Sequence, residues 1–444
     1  MAERLFPLAA REAARRGAGE VEVYVVRSAV RRYEARDGRI DAAAFSETEA
    51  VGIRVFREGR MGFSYAFRRD GAVLARAVEA ALEGAAAADP DPACGLPDAG
   101  GVPGLMALYD PACERTGEEA RAACALALES GARAADRRVR RVRTAALTER
   151  VVRVAFCNSR GARGEERRSE YAAWVEAVAE ERGEGQTGFA FGFGRSLAAL
   201  DVAALSGEAA RRAVRMLGAR RLPGGRYPAV IENVAAAELL EALAPAFFAQ
   251  NVVKGRSPFA GRLGTAVAAP LLTLVDDPLD PAGESACAFD GEGTPSRRNV
   301  LVEAGILRGF LADARWGRRL GTGSTGSCRR PGPKAPPAAG ISNLLVVPGA
   351  DPLPALCRRL GRGLLVTEFL GMHTADPVSG DFAAGAAGLL FDGSGEREPV
   401  RGFAVSGNLP ALLRRVVAVG SDFRWCGSFG APSLAVEELD VGGE

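Results

Sequence analysis

The run Pro223-Gly224-Gly225-Arg226-Tyr227-Pro228 divides the 444-residue chain into two halves of different texture. Two prolines and two glycines within six residues cannot continue a helix or sit inside a central strand, so an element must begin or end there. Before this run, long helical and strand-like segments alternate. After it come short apolar runs punctuated by glycine and proline. The length suits about two or three domains, each with its own core. The run is the best place to separate an N-terminal domain over 1–222 from a C-terminal domain over 223–444.

The first half reads as helices and mostly antiparallel strands. An amphipathic helix is predicted over 5–16. Residues 21–26 alternate Val and Tyr against Glu, a half-buried strand, with further strand-like runs at 30–36 and 51–56. Asp37-Gly38 is a hairpin-type turn. An Ala-rich helix over 72–88 is stopped by Asp89-Pro90-Asp91-Pro92. A second helix is expected from Thr116, with Glu119 completing a capping box, to about Ala135. Strands at 139–147 and 150–157 precede the turn Asn158-Ser159-Arg160-Gly161, and a third helix covers about 207–217.

In the second half one helix, roughly 234–248, is followed by apolar runs at 271–275, 300–312, 343–347, 363–368, 386–391 and 434–441. Short helices are predicted at 352–360, capped by Asp351, and at 409–417 after Asn408. The Pro- and Gly-rich stretch 329–340 reads as a loop. Short strands at this spacing predict a curled or barrel-like sheet. The fold class is therefore α+β: an N-terminal α/β domain, then a β-rich C-terminal domain with a few helices. No internal sequence repeat is evident.

Charge and cysteine usage exclude several functions. With 57 basic and 55 acidic residues there is no global field to drive phosphate binding. Arg137, Arg138, Arg140, Arg141 and Arg143 form the one basic cluster; without interleaved aromatic residues it reads as a solvated strand face, so no nucleic-acid partner is expected. No stretch approaches the ~20 apolar residues of a membrane-spanning helix. The N-terminal segment is too short and too charged for a signal peptide, which predicts a cytoplasmic protein. The eight cysteines (94, 113, 124, 157, 287, 328, 357, 426) contain no C-x-x-C pair, hence no zinc ribbon or thioredoxin-type motif.

Gly321-Thr322-Gly323-Ser324-Thr325-Gly326 satisfies G-x-G-x-x-G, but Ser327-Cys328-Arg329-Arg330-Pro331 cannot continue as the helix a dinucleotide site needs. No serine sits in G-x-S-x-G. His373 is the only histidine, so the chain cannot build the paired imidazoles of common catalytic zinc sites. In a Gly-rich loop it reads as a surface or hydrogen-bonding residue, although Asp376 and Asp381 nearby could orient an imidazole. The carboxylates of Asp276-Asp277-Pro278, Asp290-Gly291-Glu292-Gly293 and Gly380-Asp381-Phe382 read first as turn residues bonded to backbone, and second as acid–base or Ca²⁺ groups.

The ordered set Asp276-Asp277-Pro278, Phe289-Asp290-Gly291-Glu292-Gly293, Gly323-Ser324-Thr325-Gly326, Ser342-Asn343-Leu344 and Gly380-Asp381-Phe382 resembles the C-terminal half of the TldD/PmbA peptidase family. Gly385-Ala386-Ala387-Gly388, Ser406-Gly407-Asn408-Leu409 and Gly420-Ser421-Asp422 extend the match. Asp91-Pro92, Gly95-Leu96-Pro97, Asn158-Ser159-Arg160-Gly161 and Gly225-Arg226-Tyr227-Pro228 carry it into the first half. In that family two related subunits assemble into a peptidase. The TldD type carries H-E-x-x-x-H and a later cysteine as zinc ligands, with the glutamate as base; the PmbA (TldE) type lacks the motif. A hand alignment puts Leu240 and Pro245 at the two histidine positions, Glu241 at the acid, and Cys426-Gly427 at the third ligand.

The resemblance implies a PmbA-like, non-catalytic, metal-free subunit of a cytosolic peptidase complex. It would pair with a TldD-type subunit that holds the zinc, and bind unfolded or leader-type peptides by edge-strand addition. The alternative is a stand-alone homodimeric binding or scaffold protein without hydrolysis. A third reading is metal-independent hydrolysis; candidate catalytic residues are then Glu241, His373 and Asp381, with Cys426 as a thiol. Neither a metal nor another cofactor is expected in this chain, and no membrane partner.

Overall fold

Asp37 and Gly38 both take left-handed backbone conformations (φ 53° and 74°), folding β1 (Glu20–Arg36) back onto β2 (Arg39–Arg57). Positive φ at both central residues is what a two-residue type I′ hairpin demands. The computed structural model describes residues 1–67, 70–97, 106–332, 334–392 and 397–443. Beyond β2 come β3 (Arg60–Ala66), β4 (Val139–Asn158), β5 (Arg163–Glu181) and β6 (Glu184–Gly194). They form one antiparallel sheet in the order β3-β2-β1-β4-β5-β6.

One face of this sheet is covered by α1 (Ala2–Arg15), α2 (Gly71–Ala87), α3 (Glu118–Ala135) and α4 (Val202–Val214). Ala9, Leu74 and Ala81 of α1 and α2 pack on Val23, Ile53 and Val55. Leu128, Leu205 and Ala209 of α3 and α4 pack on Leu147, Tyr171 and Val175. The two halves of the sheet thus repeat one helix–three strands–helix unit. Gly62-Phe63-Ser64-Tyr65-Ala66-Phe67 in the first matches Gly188-Phe189-Ala190-Phe191-Gly192-Phe193 in the second. The glycines repeat for a packing reason. A Cβ on Gly62 would lie 1.6 Å from the Ala81 carbonyl oxygen, and one on Gly188 2.1 Å from the Ala213 nitrogen. Each following helix is capped by an aspartate, Asp70 accepting from Val73 N–H and Asp201 from Ala204 N–H, both at 2.9 Å.

In the C-terminal half the strands Gly225–Ile231, Gly363–Leu370, Asp381–Phe391, Arg397–Asn408 and Leu434–Gly442 pair in sequence and close on themselves, because the last bonds both the first and the fourth. α5 (Asn233–Leu243) follows the first barrel strand and packs Leu239, Leu240 and Leu243 in one core with Val366, Phe382, Val405 and Val436. A smaller sheet, including Leu274–Asp276, Leu344–Val346 and Phe429–Ala431, flanks the barrel. The fold is α+β.

Several local expectations are corrected. β1 and β4 run unbroken across the breaks read at 27–29 and 148–149. β5 and β6 occupy 163–194, where no element was expected: β5 is rich in Glu and Ala and β6 in Gly, residue types depleted in strands. The Thr116 capping box is not made; Thr116 Oγ1 donates to Ala112 O at 3.0 Å and Gly117 is the N-cap of α3. α4 starts at Val202, five residues early, because Asp201 caps it. α5 stops at Leu243, where Ala244–Phe247 turns into a tighter 3₁₀ helix at Pro245. Pro352, not Asp351, occupies the N-cap of Leu353–Leu360. The 329–340 stretch holds a small antiparallel pair, Cys328–Arg329 with Ala338–Ala339; Pro333 lies outside the described residues. No helix among the described residues is long and apolar enough to cross a membrane.

Candidate functional site: an aromatic cleft against α5

β6 sorts its side chains by size. Gly188, Ala190 and Gly192 face α4, which leaves no room for more, and Phe189, Phe191 and Phe193 project from the other face of the pleat. Trp174 on β5 pairs opposite Phe191, and its ring meets that of Phe189 edge-on at 6.3 Å. Both are exposed, Trp174 at 40% and Phe189 at 46%. Opposite them α5 presents Val234, Ala237, Glu238 and Glu241, one helical face by their spacing. Arg424, Cys426, Gly427 and Phe429 complete a cleft of about 360 Å³.

The charges around this cleft are unevenly matched. Arg212 Nε donates to Glu208 Oε1 at 2.9 Å, and Arg424 bonds the same carboxylate while its Nη2 donates to Phe191 O at 2.9 Å. Arg215 makes a two-pronged contact to Glu232, 2.9 Å on each side. The local arginines are thus engaged by Glu208 and Glu232. Glu238, Glu241 and Glu368 make no ion pair among the described residues. Burial, then the charges of Glu368 and Glu241, push the Glu238 carboxyl up to about 7. Burial raises Glu368 and the Cys426 thiol as well.

Of the residues singled out by sequence, Glu241 and Cys426 meet in this cleft. Leu240 does not; it is 3% exposed and faces the barrel core with Leu243. Pro245 lies in the turn after α5, where its carbonyl accepts from Asn251 Nδ2 at 2.7 Å. His373 is exposed in the turn Met372–Thr374. Its acidic neighbours are engaged elsewhere: Asp381 accepts from Asn408 Nδ2 of the adjacent barrel strand at 2.8 Å, and Asp376 from Val378 N–H of its own loop at 2.7 Å. Asp276 takes the backbone and hydroxyl of Ser342 at 2.7 and 2.8 Å, and Asp290 the N–H groups of Glu292 and Thr294, both at 2.9 Å. The Gly321–Gly326 loop follows a helix, Ala314–Leu320, with Gly321 as its left-handed cap. Among the described residues no three His, Cys, Asp or Glu side chains converge as a metal site. Sequence reasoning missed Glu238, Trp174, Phe189 and Phe191. The 234/237/238/241 spacing and the Gly-Phe alternation are the features that point to them.

A barrel plugged by a helix, joined to a duplicated helix-backed sheet with an aromatic cleft between them, defines a two-part α+β architecture. Residues 21–85, 112–217 and 224–443 match domain 1, the central domain and the C-terminal domain of the PmbA/TldA metallopeptidases. The chain belongs to this PmbA/TldD family. It is 28% identical over 414 residues to metalloprotease PmbA of Escherichia coli O157:H7, covering 92% of this chain and 89% of that one. It is 27% identical over 435 residues to a metalloprotease TldD homolog of Haemophilus influenzae, again covering 92% and 89%. Its fold is that of TldE from Thermococcus kodakarensis (TM-score 0.90, 23% identity, 99% of each chain).

Proposed function

We propose that this chain is the metal-free, non-catalytic subunit of a PmbA/TldD-type peptidase complex in the cytoplasm, and that its cleft binds unfolded or leader-type peptides. The cleft-facing side of α5 carries this reading. With Val234, Ala237, Glu238 and Glu241 turned inward, the degenerate motif is best placed as Ala237-Glu238-Leu239-Leu240-Glu241-Ala242, three residues ahead of the alignment that used Leu240 and Pro245. Alanines then stand at both imidazole positions while the acid is kept as Glu238. The donors left at the cleft are two carboxylates, one of them half-protonated near neutral pH, and a thiol that burial keeps protonated. Catalytic zinc is held by three converging protein ligands, usually with imidazoles among them. These two carboxylates and one thiol include no imidazole and, among the described residues, do not converge as a metal site, so this donor set does not fit it.

The peptide-binding half rests on β6. It is an edge strand bonded to β5 on one side, and its Phe191 carbonyl, on the other side, takes Arg424 as its one donor among the described residues. Exposed aromatic residues beside a free strand edge suit an extended chain read through its backbone, with apolar side chains resting on Trp174 and Phe189. The chain resembles relatives of both the PmbA and TldD types, which supports a TldD-type partner; in this reading the zinc sits in that partner. Co-expression tests the reading: chelator-sensitive peptidase activity is expected only when the TldD-type subunit is present. Such activity from the isolated chain contradicts it.

A further inference from the structure

A second cavity, of about 280 Å³, lies between the helix-free face of the six-stranded sheet and the C-terminal loops. Arg150 and Arg168 line it from the sheet, Arg329 and Arg330 from the loops. What distinguishes it is donors without acceptors. Arg329 gives Nη1 to Cys287 Sγ (2.8 Å) and Nε to Ile341 O (3.0 Å), yet its buried Nη2 has no partner. Arg168 Nε stands 2.9 Å from Glu170 Oε1 but is not aligned to bond it. Beside Glu284, Arg195 donates Nη2 to the Gly283 and Glu284 carbonyls (2.7 and 3.2 Å), and its buried Nε and Nη1 have none. Four of the nine unpartnered buried side-chain atoms among the described residues therefore belong to three arginines around this cavity, so the deficit is local. Buried donors are normally satisfied, and a cluster that is not points to an acceptor from outside the chain.

The acids nearby fill that role only in part: Glu170 pairs with Arg168 at 2.9 Å, while Arg329 Nη2 and Arg195 Nε and Nη1 stay unpartnered. Glu166 accepts from Ala288 N–H at 2.7 Å, Glu170 faces Arg168 and Arg150, and Asp290 is committed to backbone N–H groups. Burial raises Glu166 and Glu284 and pushes Asp290 up to about 7, while it lowers Arg195, as expected of an under-compensated cation. The remaining acidic wall disfavours a doubly charged phosphate over a singly charged ligand, and a guanidinium fork matches a carboxylate in two-pronged fashion.

We propose that this chamber is a receptor for a carboxylate, held by Arg168 and Arg329 of its lining and by Arg195, which stands outside the lining beside Glu284. The carboxylate has two possible sources, a free small acid or the C-terminus of a peptide. The second is reachable because the chamber adjoins the aromatic cleft: a Cβ on Gly427, which lines that cleft, would lie 3.5 Å from Glu284 Oε2. The site does not require that the cleft bind peptide.

Calorimetric titration of the full chain with acetate, with N-acetyl-Ala-Phe and with its C-terminal amide, against chloride at equal ionic strength, tests the proposal. Saturable binding of either carboxylate is expected, with the amide inert and affinity falling on the order of tenfold in Arg195→Gln and in Arg329→Gln. Binding of acetate identifies a free acid; binding of the peptide acid without acetate identifies a chain terminus. Arg195, anchored to main-chain carbonyls at the chamber's edge, carries the test if the Arg329 variant does not fold. No carboxylate binding above the chloride control, or binding unchanged in Arg195→Gln, overturns it.

Discussion

Arg54 Nη1 and Glu292 Oε1 meet at 2.7 Å with side chains only 3% and 6% exposed, joining β2 to a loop of the C-terminal half. Arg54 also forks onto Glu22 at 3.0 and 2.7 Å, and Arg330 bonds the same carboxylate. Glu292 Oε2 in turn accepts from Ala314 N–H at 2.9 Å. Removing one member of such a network strands the others away from water, at a cost of about 3–5 kcal/mol. Arg54→Met is expected to lower stability by that amount in urea unfolding at pH 7. Adding Glu292→Gln should recover part of the loss, because the two sites are coupled.

Glu238 makes stability pH-dependent in the opposite sense to an ion-paired acid. Its carboxyl rises from 4.5 to about 7 on folding. Between those values the unfolded chain releases a proton that the folded one keeps, so this contribution is fully present below the unfolded value and lost as pH rises through about 7. Glu238→Gln should therefore match the parent near pH 4 and exceed it above pH 7. The gain should be about 1–2 kcal/mol after discount for partial solvent contact. Denaturation midpoints across pH 4–8 check it; a constant offset would contradict it.

The close approach of α4 to β6 predicts a sharp contrast between neighbouring glycines. A Cβ on Gly188 would sit 2.1 and 2.2 Å from backbone atoms of Ala213 and Ala209, whereas one on Gly185 meets only Glu180 Cγ at 3.8 Å. Gly188→Ala should cost about 1–3 kcal/mol and displace the aromatic edge of the cleft, and Gly185→Ala should cost little. Thermal melts of the two variants side by side decide it.

Turn chemistry made much of the first half readable in advance. Asp37-Gly38 and Asn158–Gly161 lie where their residue types require; of the apolar runs of the second half, 363–368, 386–391 and 434–441 became barrel strands, whereas 271–275, 300–312 and 343–347 gave strands of the smaller flanking sheet. The strands that build the cleft were not legible. In β6 every second residue is small because α4 lies against it, so its pattern looks like a loop until the helix is in place. In β5, Arg and Glu alternate along a surface that is paid no attention by propensity scales. The duplicated unit escaped notice because its two copies share little beyond a Gly-Phe alternation and a capping aspartate. On α5, both Leu240-Glu241 and Ala237-Glu238 offer an acid in the right place, and only the packing of Leu240 into the barrel separates them.

That packing makes a prediction about gain of function. Ala237→His with Ala242→His, added to the existing Glu238 and Cys426, should confer zinc uptake approaching about one ion per chain. Leu240→His with Pro245→His should bury a polar ring at position 240 in the barrel core, bind no zinc and lower the melting temperature. Equilibrium dialysis of the two double variants distinguishes them.

The most direct measurement is elemental analysis of the proposed complex of this chain with a TldD-type subunit, alongside each subunit purified alone. The account predicts zinc in the partner and in the complex at the same stoichiometry, with none retained by this chain. Stoichiometric zinc bound to this chain's own side chains would contradict it.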